Sequence, residues 1–224
     1  MTTRPHKTPT AILISGRGSN MQAVVAAADD PAHPAQVVSV ISNTPDAAGV
    51  AWAHERGLQT PVVDHREFRG DRARFDRALD IAIRESGAEF VVLAGFMRLL
   101  TPEFVTSWSG RMVNIHPSLL PAFKGLDTHA RCLAAGIRIS GCTVHFVVPE
   151  MDAGPIIAQA AVPVLQGDTE NDLADRILAA EHQIYPPAIA AVLSSDCALD
   201  GEEVVWKKGR SFQTPVPMFS PHIL

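Results

Sequence analysis

Asn114, Ile115 and His116 open the segment NIHPSLLP, where two polar residues flank one apolar residue. On a strand, alternate side chains project from the same face, so this amide and imidazole would share one side. An amide donor beside an imidazole can hold a developing oxyanion and carry a proton, which acyl transfer requires. The same pair also suits an Asn that caps a loop and a His bonded to backbone. A second polar loop, PEMDAGP over residues 149–155, carries Asp152. An Asp ahead of Gly and Pro often serves only the turn. Placed against His116, its carboxylate would orient the imidazole and favour the charged ring.

A third candidate is SGRGSN over residues 15–20, lying between an apolar run and an amphipathic one. Backbone N–H groups at a helix N-terminus point at an anion, and the helix dipole favours negative charge there. A dinucleotide fingerprint requires Gly where Met21 stands, and the Lys-Ser/Thr of a P-loop is missing. A single phosphate therefore fits better than a pyrophosphate, and a tight turn without a ligand is the other reading. The nine histidines show no HxH, HxxxH or HExxH spacing, so no metal is expected.

The elements that must position these residues follow from periodicity. Apolar runs at residues 11–14, 37–41, 60–63 and 90–94 read as strands, the last continuously apolar as in a parallel sheet covered on both faces. Between them lie helical patterns at 19–28, capped by Ser19 or Asn20, at 46–56, and at 71–85. This alternation predicts an α/β fold with a Rossmann-like, doubly wound parallel sheet, whose ligands bind beyond the carboxyl ends of the strands. The second half differs. A strand at 112–115 leads into a proline-rich loop, 116–125, and runs at 143–148 and 156–164 read as an antiparallel pair. The parallel sheet thus continues into a mixed one, followed by a long C-terminal helix over 171–193 with Pro186 and Pro187 placed to bend it. Beyond residue 196 a tail holds two weak strand-like pieces within 204–224, with Pro215, Pro217 and Pro221. No linker divides the chain. One domain over 1–224 is expected, with lobes of about 10–110 and 111–195.

Composition narrows the function. Of 224 residues, 46% are hydrophobic and 19% charged, enough apolar material for a sizeable core. The net charge of −5 disfavours nucleic-acid partners, which select for clustered Lys and Arg. No apolar run approaches the roughly 20 residues that span a bilayer, and the first ten residues are polar, so neither membrane nor secretory signal is expected. Cys132, Cys142 and Cys197 are an odd set without CxxC spacing, as suits free thiols in a reducing cytoplasm.

Taken in order, ILISGRGSN, VVLAGFMRLLTPEFV, GRMVNIHPSLLPAFKGLDTH, GCTVHFVVPEMDAGPII and QAAVPVLQGDT resemble the glycinamide ribonucleotide formyltransferase family over residues 12–193. NIHPSLLP also marks related enzymes that use formyltetrahydrofolate, whereas the SGxGSN turn and the DAGPII loop are more particular to this branch. The resemblance implies transfer of a formyl group from 10-formyltetrahydrofolate, a co-substrate, to the amine of glycinamide ribonucleotide in purine synthesis, without a metal. It implies Asn114, His116 and Asp152 as the catalytic set. By the same resemblance Gly18, Ser19 and Asn20 hold the ribonucleotide phosphate, and Glu181 contacts the ribonucleotide. The folate-binding positions it implies are Arg72, Met97, Arg98, Leu99, Leu100, Asn114, Val148, Pro149, Glu150, Met151 and Asp152. The first lobe would then bind phosphate, and the second would hold the folate and the catalytic groups. Arg17 stands where the family usually has a smaller polar residue. The protein would act on small molecules as a monomer or homodimer. Two other activities stay in view. A formyltetrahydrofolate hydrolase would have no use for the phosphate turn, and a methionyl-tRNA formyltransferase would add a nucleic-acid domain. A non-catalytic nucleotide- or folate-binding module is the alternative outside enzymes.

Overall fold

In a computed structural model that describes residues 7–207, six strands form one sheet and helices cover both of its faces. The first half runs β1 (Thr8–Ile14), α1 (Ser19–Ala28), β2 (Ala35–Ser42), α2 (Ala48–His54), α3 (Arg72–Glu85), β3 (Phe90–Leu93) and α4 (Pro102–Ser107). The second runs β4 (Met112–His116), α5 (Thr128–Ala134), β5 (Ile139–Phe146), β6 (Ile156–Pro163) and α6 (Glu170–Leu193). A hairpin of β7 (Cys197–Asp200) and β8 (Glu203–Trp206) follows. The sheet order is β2-β1-β3-β4-β5-β6, parallel from β2 through β4 and antiparallel for β4–β5 and β5–β6.

Alternate residues of each strand feed opposite faces. Ile12, Ile14, Val40, Val92 and Val113 pack with Met21, Val24 and Val25 of α1 and with Leu173, Ile177 and Ile189 of α6. Ala11, Leu13, Ile41, Val91 and Met112 pack on the other side with Phe75, Leu79 and Ile83 of α3 and with Phe104 and Val105 of α4. The crossover after β1 therefore lies on one face, and the helices flanking β3 lie on the other. Chain order reverses at β1, so the loops leaving β1 and β3 diverge and open a crevice at their carboxyl ends.

Several expectations change. Neither Ser19 nor Asn20 caps α1. The N-cap is Gly18, at φ 72°, and it makes no side-chain cap. Residues 60–63 form no strand, and only isolated bridges pair Gln59 with Ser39 and Val62 with Ser42. Two short helices escape a reading based on periodicity because each spans only a turn or two. α4 starts from Thr101, whose hydroxyl accepts from Phe104 N, with Pro102 in its first turn. α5 follows Asp127, which is left-handed at φ 54°. α6 starts one residue early on a capping box between Thr169 and Asp172 and runs through Pro186 and Pro187 as one element. β8 falls at the start of the 204–224 stretch, and its partner β7 lies ahead of it, where no strand was expected. The rest of that stretch, with Pro215, Pro217 and Pro221, lies outside the described residues.

Candidate active site

β4 ends at the crevice, and its alternation carries Asn114 and His116 to the same wall of a cavity of about 810 Å³. Met97, Arg98, Leu99 and Leu100, from the loop after β3, form a second wall. Val148, Pro149, Glu150, Met151 and Asp152, from the loop joining β5 to β6, form a third. The volume lies within the range of about 300–1,000 Å³ usual for small-molecule sites. Met97, Leu99, Leu126 and Met151 leave large apolar surfaces exposed at its rim, as a ligand-binding groove does.

The polar groups are individually constrained. His116 is buried, and its Nε2 lies 3.0 Å from Phe123 O. A carbonyl only accepts, so Nε2 carries a proton and Nδ1 is the nitrogen turned toward the second polar loop. Nδ1 lies 3.4 Å from Asp152 Oδ2. The same Oδ2 accepts from Gly125 N at 2.8 Å, which fixes the carboxylate. Asp152 sits at φ 50°, a conformation that Asp and Asn tolerate better than most residues. The loop can close because Gly154 has no Cβ: a methyl there would collide with Phe146 O, while Phe146 N donates to Pro155 O at 3.0 Å.

Asn114 Nδ2 lies 3.2 Å from Nε2 of His145, its cross-strand partner on β5. His145 Nδ1 lies 2.9 Å from Phe146 O and so carries the ring proton. Burial, the largest influence, lowers the His145 pKa, and the ring stays neutral with Nε2 as acceptor. The amide is thereby oriented with one N–H committed and the other available. Sequence reasoning missed His145, although the period-2 pattern of Thr143 and His145 on a strand antiparallel to β4 was the available signal.

Gly18, Ser19, Asn20 and Glu181 form a second group that does not line this cavity. The first hydrogen bond of α1 is Gln22 N to Gly18 O at 2.9 Å, so the N–H groups of residues 19–21 remain free of helical acceptors. Asn20 Nδ2 donates to Glu181 Oε2 at 2.7 Å, and both residues are buried. Burial raises the Glu181 pKa, and the bond from Asn20 opposes it. One turn further along α6, Tyr185 donates to Leu93 O at 2.8 Å, which ties this face of α6 to the carboxyl end of β3. Asn20 Oδ1 is buried with no hydrogen-bond partner. Arg72 is exposed at the first residue of α3 and does not line the cavity. Among the described residues no group of three or more His, Cys, Asp or Glu side chains is placed to hold a metal, and no helix is long and apolar enough to cross a membrane.

The sequence profile of formyl transferases matches residues 9–189, from β1 into α6. The chain belongs to the formyl transferase family. Phosphoribosylglycinamide formyltransferase of Escherichia coli strain K12 is 45% identical to this formyl transferase chain over 80% of it and 84% of that protein. The trifunctional purine biosynthetic protein adenosine-3 of Bos taurus is 46% identical over 91% of the chain, which spans only 20% of that longer protein. The crystal structure of glycinamide ribonucleotide transformylase 1 from Symbiobacterium toebii superposes with a TM-score of 0.87 at 42% identity, covering 92% of this chain and 97% of that one. In this family member the amide, imidazole and carboxylate thus share one cavity at the carboxyl end of the sheet.

Proposed function

We propose that the protein is a cytoplasmic phosphoribosylglycinamide formyltransferase that moves the formyl group of 10-formyltetrahydrofolate to the amine of glycinamide ribonucleotide. The observation that carries this reading is the convergence of Asn114, His116 and Asp152 on one cavity beside a free helix N-terminus. The ribonucleotide phosphate rests on the N–H groups of residues 19–21, and Glu181 with Asn20 receives its polar groups. The folate lies between the 97–100 and 148–152 walls, whose apolar side chains cover its rings.

The substrate amine is the nucleophile, so no activated Ser or Cys is required. Its lone pair attacks the formyl carbon, and the carbonyl π electrons move onto oxygen. The available N–H of Asn114 and a proton on His116 Nδ1 stabilise that oxyanion. Asp152, directly or through water, takes the proton from the attacking nitrogen. As the oxyanion re-forms the carbonyl, the bond to the folate nitrogen breaks, that nitrogen takes the proton back from Asp152, directly or through water, and tetrahydrofolate leaves. Each transferred proton thus has a donor and an acceptor within the site.

The test is a steady-state assay of the purified protein with 10-formyltetrahydrofolate and, as competing acceptors, glycinamide ribonucleotide, water and methionyl-tRNA. Transfer to the ribonucleotide is expected to dominate. Formate release at an equal rate without ribonucleotide would point to the hydrolase, and donor binding without turnover to a folate-binding module.

A further inference from the structure

Ser15 stands where β1 ends, at the point of the sheet where chain order reverses, and all of its polar groups are engaged. Its N–H donates to Gly95 O at 3.1 Å, its hydroxyl accepts from Met97 N at 2.7 Å and donates to Asn43 Oδ1 at 2.5 Å, and its carbonyl accepts from Thr44 Oγ1 at 3.0 Å. One residue therefore joins three carboxyl-terminal loops, those after β1, β2 and β3. The loop after β3 needs such a tether. Phe96 and Leu100 pack partly against the core, but Met97 and Leu99 are 66% and 56% exposed, so apolar burial alone does not fix Met97 against the sheet. Its far end is fixed separately, where buried Asp76 of α3 accepts from Thr101 N at 2.6 Å. Between these two anchors the loop is free to face the cavity.

We propose that the Ser15 hydroxyl is a positioning group for the formyl donor: by holding Met97 N while its own proton is held by Asn43, it sets the 95–100 wall against which the folate binds. The inference rests on the functional reading above for the identity of the donor. The tether itself is a property of the ligand-free chain. Ser15 touches no reacting atom in this account, so its loss acts on donor binding more than on chemistry. Asn43 serves as the outer support. Its carbonyl accepts from His65 N at 3.2 Å and lies 2.8 Å from His65 Nδ1, which anchors the acceptor of the Ser15 proton.

The experiment compares the full-length parent with Ser15→Ala and Ser15→Thr. Hydrogen exchange at the Met97 amide, measured without ligands, is expected to accelerate in Ser15→Ala at least several-fold and to return toward the parent rate in Ser15→Thr, which keeps the hydroxyl. In steady-state assays the KM for 10-formyltetrahydrofolate is expected to rise about three- to tenfold in Ser15→Ala, the scale of one or two lost neutral hydrogen bonds. The KM for glycinamide ribonucleotide and kcat should move less. Unchanged exchange at Met97, or an equal rise of both KM values, would overturn the proposal. A parent that transfers no formyl group refutes the functional reading instead, and exchange at Met97 still judges the tether.

Discussion

Replacing Asn114 by Ala has two effects that the structure separates. The first is on the transition state. The amide N–H not committed to His145 is the donor available to the oxyanion, and removing one such donor costs about 2.7–4 kcal/mol, or a factor of about 10²–10³ in kcat. The second is on the fold. Without the amide, His145 Nε2, already buried and neutral, loses its donor. An unsatisfied buried acceptor costs about 1–3 kcal/mol, and in a chain of this size each kcal/mol lowers Tm by about 2–4 °C. Asn114→Ala is therefore expected to fold, to melt several degrees lower, and to retain about 1% or less of parental kcat. The donor KM should change less, because the apolar walls at 97–100 and 148–152 are untouched. The assay is formyl transfer at saturating substrates well below the lowered Tm, with circular dichroism confirming the fold. A folded Asn114→Ala protein whose kcat stays within threefold of the parent would refute the assignment of Asn114 as oxyanion donor.

Three further outcomes follow from the same geometry. Asp152→Asn keeps the tolerated left-handed backbone and an oxygen for Gly125 N but deletes the charge facing His116 Nδ1; kcat should fall about 10²–10⁴-fold with little change in Tm, and retained turnover would leave Asp152 a turn residue. Gly18→Val forces a β-branched residue to φ 72° in the N-cap of α1, so calorimetry should show ribonucleotide affinity falling more than folate affinity, with equal losses pointing to misfolding. Burial raises the pKa of Glu181, so between the ordinary carboxylate range and that raised value the native state holds a proton that the unfolded chain has lost, and stability falls as pH rises through the window. Glu181→Gln abolishes this loss, so its Tm relative to the parent should climb as pH rises above the ordinary carboxylate range, while the ribonucleotide KM worsens; a pH-independent Tm difference would contradict the buried charge.

Local pattern was enough for much of this molecule. The continuous apolar run at 90–94, the helical spacing of Phe75, Leu79 and Ile83, and the strand–turn–helix around Gly18 each depend on neighbours within one element, and each appears in the structure. Alternation alone put Asn114 and His116 on one face of β4. Misreadings fell where a short segment takes its shape from distant partners. Residues 60–63 bridge β2 without becoming a strand, and the left-handed Gly18 supersedes Ser19 and Asn20 as the cap.

By itself, then, the sequence determined which residues could do chemistry and which elements would carry them, because periodicity and turn chemistry act over a few residues. Only the tertiary structure decided their company. The Asn114–His145 pair requires the register of β4 against β5. The Asn20–Glu181 bond spans 161 positions, and the facing of His116 and Asp152 depends on a loop closing over a glycine against Phe146 O. The Ser15 tether depends on β1 and β3 lying side by side. A hydrogen bond is directional and short-ranged, so it exists only once distant segments are packed to within an ångström, and no local pattern encodes that distance.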